Sequence, residues 1–160
     1  MHTETERKFL VLNDSFKARA VASHRIKQGY IARDAGNSVR VRILDSKGIL
    51  TIKGPSADDI SRSEWEVEIP LADAEALLGL CHGGIIDKTR YIVPEGGAPP
   101  SGRVFEVDEF YGENEGLVMA EIELENADDP FEKPEWLGQE VTGDRHYYNS
   151  FLSLHPFKSW

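Results

Sequence analysis

Apolar and polar residues alternate with a period of two along most of the chain, the pattern of strands with one apolar face. Residues 2–11 form one such run, and IKQGYIAR, NSVRVRIL, ILTIKG, RSEWEVEIP, IIDKTRYIV, RVFEVDEFY and LVMAEIELE supply seven more, mostly consecutive and antiparallel. DSKG, between the third and fourth strands, is a hairpin turn in which Gly48 is available for a positive φ, and Pro70 ends the fifth strand. The alternation lapses in three places. NDSFKARAVASH predicts a helix capped by Asn13 or Asp14, LADAEALLGL a second helix and DRHYYNSFLSL a last one. PEGGAPPSG, residues 94–102, is a loop between strands. With no internal repeat or low-complexity tract, the chain reads as one domain, residues 1–160.

Sorting each strand by parity separates apolar from charged residues. One face carries Phe9 and Val11; Val39, Val41 and Ile43; Leu50 and Ile52; Trp65, Val67 and Ile69; Thr89, Tyr91 and Val93; Ile122 and Leu124. The other carries Glu4, Glu6 and Lys8; Arg40 and Arg42; Lys53; Arg62, Glu64, Glu66 and Glu68; Lys88 and Arg90; Glu106 and Asp108; Glu121, Glu123 and Glu125. An ordinary antiparallel sheet with one wet face explains alternation. It does not explain charges sorted by sign within a strand, because like charges side by side destabilise and a wet face is free to mix them. The expected fold is therefore mainly β (α+β): an eight-stranded antiparallel β-barrel whose charged face lines a tunnel and whose apolar face lies outward under packed helices.

Composition narrows the partners. A formal charge of -10 on 160 residues argues against a general nucleic-acid or anionic-membrane binder. Cys81, the single cysteine, cannot form an internal disulfide, and the polar N-terminus lacks a signal-peptide apolar run, so a cytoplasmic location is expected. The apolar stretches are strand-sized, too short to span a bilayer as helices. A tunnel lined with both signs suits a polyanion that arrives with divalent metal: carboxylates are hard ligands for Mg²⁺ or Mn²⁺, while Arg and Lys hold phosphate oxygens. GGIIDKT, residues 83–89, imitates a phosphate-binding loop but lacks a glycine directly before the lysine and runs into a strand.

The ETERK stretch, residues 4–8, resembles the Glu-x-Glu-x-Lys signature of the CYTH superfamily, the triphosphate tunnel metalloenzymes. ERKFLV, SVRVR, LTIKG, RSEWEVEI, DKTRY, EVDEF, GLVMAEIELE and VTGDRHYYNS resemble further family segments, in family order over almost the whole chain. The resemblance implies that Glu4, Glu6, Asp108, Glu121 and Glu123 ligate metal, with Glu64 and Glu66 close to the metal or its waters. It implies that Lys8, Arg40, Arg42, Lys53, Lys88 and Arg90 bind the triphosphate, and that Lys8, Glu64 and Glu66 serve catalysis. The expected activity is metal-dependent hydrolysis of the terminal phosphoanhydride of a triphosphate, inorganic tripolyphosphate first. Class IV-type adenylate cyclase, nucleoside or thiamine triphosphatase, and a non-catalytic polyphosphate-binding module are the alternatives. The general base, the choice between Mg²⁺ and Mn²⁺, and monomer against homodimer stay open.

The remaining residues take plainer expectations. Trp65, Phe9 and Tyr91 should pack under outer helices, and Glu68, Glu106 and Glu125 should sit on an exposed rim. Tyr30 fits strand packing and the tunnel mouth equally. Tyr147, Tyr148 and Asn149 should close one tunnel end, and His146 should pack or face solvent. Arg145 and Lys158 are both candidates for a further C-terminal basic contact. Cys81 reads as a small buried hydrophobe.

Overall fold

A computed structural model describes residues 2–34, 36–55, 61–96 and 101–160, giving only the backbone for residues 2–4 and 61–62. Among the described residues nine strands carry the fold: β1 (His2–Val11), β2 (Ala22–Asp34), β3 (Asn37–Leu44), β4 (Lys47–Lys53), β5 (Ser61–Ile69), β6 (His82–Pro94), β7 (Val104–Phe110), β8 (Val118–Leu124) and β9 (Leu137–Glu140). They form one antiparallel sheet in the order β5-β4-β3-β2-β6-β7-β8-β1-β9, and β1 additionally pairs with β5, Thr5 opposite Ser61. The eight strands expected from alternation are all present. β9 was not expected, since LGQE has no alternating pattern; it is a short edge added to β1. Among the described residues no helix is long and apolar enough to cross a membrane.

The first expected helix is largely absent. Only Asp14–Arg19 coils, as a 3₁₀ turn in which the Ser15 N–H donates to Asn13 Oδ1 at 2.9 Å. Phe16 anchors that turn in the core, and from Ala22 onward the chain pairs with β6, so strand pairing overrides the helix propensity of the segment. Helix α1 (Leu71–Leu78) forms as expected. At the C-terminus the continuous helix is replaced by a 3₁₀ turn at Arg145–Tyr147, α2 (Asn149–Leu152) and a 3₁₀ turn at Phe157–Ser159; Tyr148, at φ −76° and ψ 137°, breaks the run. The 45–48 turn also departs from expectation. Asp45 takes the positive φ, 54°, whereas Gly48 supplies close approach: a Cβ there would lie 2.7 Å from the Ala74 Cβ of α1.

The apolar parity does face away from the charged one. Phe9, Val93, Phe105, Val107, Ala120, Ile122 and Leu124 are buried beneath Phe16, Phe131 and Trp136; Phe131 meets the Phe9 and Phe105 rings edge-on at 5.7 and 6.1 Å, Trp136 meets Phe105 edge-on at 5.2 Å, and Phe16 lies tilted on Trp136 at 5.8 Å. Phe9 and Tyr91 thus pack as expected. Trp65 does not: it is 46% exposed, as Ile52 and Val67 are at 40% and 38%, because α1 packs chiefly on β2, β3 and β4. A second cluster, Ile86, Phe110, Leu117, Met119 and Leu152 with Leu10, Tyr147 and Phe157, lies on the charged parity of β1, β6, β7 and β8. There the C-terminal segment caps one end of the charged face with apolar side chains. Of the 94–102 loop, residues 97–100 lie outside the described residues.

Candidate active-site cavity

The charged faces of β1 to β8 converge on a cavity of about 420 Å³. Its wall includes the cations Lys8, Arg40, Arg42, Lys53, Lys88 and Arg90 and the carboxylates Glu6, Glu64, Glu66, Glu106 and Glu121. Strand register explains the juxtaposition. Lys8 stands opposite Glu121, Glu6 opposite Glu123, Lys53 opposite Glu64, and Arg90 opposite Asp108, and cross-strand partners share a face.

The cations are anchored individually. Arg90 grips Asp108 through two hydrogen bonds of 2.8 and 2.9 Å and reaches Glu106 at 3.3 Å. Lys88 lies 2.7 Å from Asp108 Oδ2 and donates to Asn149 Oδ1 at 2.8 Å. Arg42 donates to Gln28 Oε1 at 2.7 Å, and Gln28 donates to the same Asn149 oxygen at 3.2 Å. Arg40 reaches Thr51 Oγ1 at 3.2 Å, which donates to Glu66 at 3.0 Å, while the buried Arg40 Nε has no hydrogen-bond partner among the described residues. Lys8 donates to the Tyr147 carbonyl at 3.1 Å, lies 3.3 Å from Glu121 and sits over the Tyr148 ring. Asn149 was expected only to close one end; it also holds Lys88 and Gln28 in place.

Burial and crowding set the protonation of these groups. Burial pushes Lys88 down to about 7, helped by Arg90 and Arg42 and opposed by Asp108. Burial, with Arg40 and Arg90 adding repulsion, holds Arg42 below the usual arginine range. Burial alone would raise Asp108 and Glu121, but Arg90 and Lys88 hold the Asp108 carboxyl far below the carboxylate range, and Lys8 and Arg90 do the same for Glu121. For Lys8, burial works downward and the carboxylates of Glu121 and Glu6 outweigh it, leaving it raised.

The predicted site residues fall into three groups. Lys8, Arg40, Arg42, Lys53, Glu64, Glu66, Lys88, Arg90, Glu6 and Glu121 line the cavity. Asp108 sits behind the wall as the counterion of Lys88 and Arg90, and Glu123 is exposed next to the Glu6 position. The Glu4 side chain lies outside the described residues; its backbone pairs with Arg62 in β5. Glu106, expected on the rim, lines the cavity, whereas Glu68 and Glu125 are exposed as expected. Tyr30 is buried in the wall with Arg33 over its ring. His146 pairs with Asp144 and packs on Phe151 and Trp160; Arg145 and Lys158 are exposed and line no part of the cavity.

His24 was not singled out, because its segment was read as helix. In β2 it lines the cavity, with Nδ1 2.7 Å from Asp45 Oδ2. The alternation of His24, Ile26 and Gln28 continues IKQGYIAR one step upstream, a weak signal masked by good helix formers before it.

A family model described as CYTH domain matches residues 2–149. The chain is 47% identical over 161 residues to an inorganic triphosphatase of Acetivibrio thermocellus, covering 100% of this chain and 99% of that protein. It is 35% identical over 155 residues to an inorganic triphosphatase of Nitrosomonas europaea, covering 95% and 97%. A solved inorganic triphosphatase structure superposes with a TM-score of 0.65 at 32% identity, covering 94% of this chain and 97% of that one.

Proposed function

This chain belongs to the CYTH domain family, and from that membership we propose that it hydrolyses the terminal phosphoanhydride bond of inorganic tripolyphosphate, releasing phosphate and pyrophosphate. The observation that carries this reading is a cavity wall in which six cations and five carboxylates stand side by side. Six cations alone would serve a polyanion-binding module; it would have no use for so many acids. We read the β1–β5 pairing as joining the two ends of the β5-to-β1 strand order, so that eight strands ring the cavity as a tunnel.

The family requires a divalent cation, and the donor set fits Mg²⁺ or Mn²⁺: Glu6, Glu64, Glu66, Glu106 and Glu121 offer hard oxygens facing one space. Among the described residues no group of three acid, imidazole or thiol side chains forms a ready metal cluster; Glu6 and Glu121, whose carboxyl groups already meet, would hold the ion, with Glu4 and Glu123 as further donors on the same strands. When bound, the metal supplies Lewis-acid stabilisation of phosphoryl charge and acidifies water.

The protein's own groups then divide the work. Arg40, Arg42, Lys53, Lys88 and Arg90 hold the phosphate chain, Arg in bidentate fashion. Asp108, rather than taking a place in the wall, keeps Lys88 and Arg90 aimed into it. Lys8, whose proton is firmly held between Glu121 and the Tyr147 carbonyl, stabilises developing charge instead of accepting a proton. Glu64 and Glu66 orient the attacking water. Water's oxygen bonds to the terminal phosphorus as the bridging P–O bond breaks, pyrophosphate leaves, and the water proton passes through a wall carboxylate to solvent.

Phosphate release from tripolyphosphate, ATP, thiamine triphosphate and pyrophosphate, each with Mg²⁺, Mn²⁺ or chelator, tests the assignment. Metal-dependent turnover with kcat/KM highest for tripolyphosphate and lowest for pyrophosphate is expected. Cyclic AMP among the products, or ATP preferred over tripolyphosphate, would move the protein to a nucleotide activity. Binding without turnover of any of the four would make it a polyphosphate-binding module.

A further inference from the structure

His24 lies in the cavity wall outside every group assigned above. In the β2–β6 register it stands opposite Arg90, and directly opposed residues on an antiparallel pair have Cβ atoms about 4.5–5.5 Å apart on the same face. Along β6, Ile86 belongs to the apolar cluster under the C-terminal cap, and Lys88 and Arg90 follow two and four residues further on. The His24–Arg90 layer is therefore one step farther from the capped end than the Lys88 layer.

The ring is held in a set orientation. Its Nδ1 lies 2.7 Å from Asp45 Oδ2, while the other Asp45 oxygen accepts the Arg25 N–H at 3.0 Å and the Asp45 N–H donates to the Arg25 carbonyl at 2.8 Å. Asp45 is the one non-glycine among the described residues with a positive φ, 54°, a conformation unfavourable without local hydrogen bonds. Three hydrogen bonds thus fix a strained residue whose carboxylate faces an imidazole. With Nδ1 committed to Asp45, Nε2 is the nitrogen left for a ligand, and the imidazolium donates through both nitrogens at once.

We propose that His24, oriented by Asp45, contacts the phosphate group of the substrate farthest from the capped end, and so discriminates three-phosphate from two-phosphate chains. The inference rests on the triphosphate reading of the cavity. Lys88, Arg42 and Arg40 serve the inner phosphates, and the His24–Arg90 layer is occupied only by a chain long enough to reach it.

Calorimetric titration of the full chain with tripolyphosphate and with pyrophosphate, in chelator so that nothing turns over, tests this directly. His24→Ala should weaken tripolyphosphate binding about tenfold, the scale of one lost charge-assisted hydrogen bond at a half-exposed position, and change pyrophosphate binding by less than about twofold. Asp45→Ala should give a smaller loss, and adding it to His24→Ala should bring no further loss, as expected when one residue acts through the other. His24→Lys, which restores a cation at the same position, should recover part of the tripolyphosphate loss. Equal losses for the two ligands, or none for tripolyphosphate, would overturn the role of His24 and leave the triphosphatase reading intact. A wild-type protein that binds neither ligand in chelator would overturn the role of His24, whereas the triphosphatase reading falls only if no turnover is seen with metal present.

Discussion

Asp108→Asn separates a counterion from a metal ligand. The side chain is nearly isosteric, so packing is kept, but two buried cations lose their shared carboxylate: Lys88 at 2.7 Å and Arg90 through its 2.8 and 2.9 Å pair. Removing one member of a buried ion pair typically destabilises by about 3–5 kcal/mol, because the remaining charge is left uncompensated. Lys88, already pushed down to about 7, can escape by shedding its proton; Arg90 cannot, and Glu106 at 3.3 Å is only a partial substitute. At about 2–4 °C per kcal/mol for a chain of this size, the melting temperature should fall by about 6–20 °C. The sign of the pH effect follows from the depressed carboxyl. Its stabilisation is complete above the ordinary aspartate value of 3.8 and is lost as pH falls through the lower folded value, so the wild type should lose its advantage over the variant in strong acid. Thermal unfolding in chelator, with and without tripolyphosphate, is the assay. The polyanion should restore more stability to the variant than it adds to the wild type. A variant melting within about 2 °C of wild type at pH 6–8 would refute the counterion assignment.

Three further outcomes are expected. Glu121→Gln should abolish metal-dependent hydrolysis of tripolyphosphate while the circular dichroism spectrum stays that of the wild type; full turnover by this variant in chelator would remove the metal mechanism. Arg40→Ala, which deletes a guanidinium whose buried Nε has no hydrogen-bond partner among the described residues, should lower kcat/KM by about 2–4 kcal/mol worth of transition-state binding, and unchanged hydrolysis would place the side chain outside the substrate site. Lys88, a base held below its unfolded value, favours its neutral form when folded, so stability should rise as pH climbs from about 7 towards the ordinary 10.5, where only the unfolded chain still holds the proton. Urea midpoints of wild type against Lys88→Met across that range measure it, and parallel curves would contradict it.

Strand parity carried most of the fold and the cavity wall because it depends only on local alternation, and β1 to β8 keep it. It placed Arg40, Arg42, Lys88 and Arg90 on one face before their contacts were known. What it could not supply was depth. Asp108 and Glu121 share a parity with Glu123, yet the first lies behind the wall, the second lines it and the third is exposed, differences set by strand tilt and neighbours. Trp65 was misplaced for a related reason: an outward parity does not say whether a helix reaches that strand, and α1 is only eight residues long. His24 was lost to a helix-like composition that pairing with β6 overruled, and Asn149 escaped notice because a single amide carries no pattern.

The place of β1 in the sheet bears on how the chain matures. Its first strand is made first during synthesis but pairs with β8, near residues 119–124, and with β9, so Lys8 meets Glu121 only after more than a hundred residues have followed. Contacts so distant in sequence are slow to form, since loop closure must be met before they return any stability. Until then only residues 2–5 of β1 have a strand beside them, β5, and on the rest of β1 the charged residues Glu6 and Lys8 oppose pairing with foreign strands. Acid and base thus serve the nascent chain as well as the finished cavity, and chains halted before β8 lack the Glu121 side of the acidic cluster altogether.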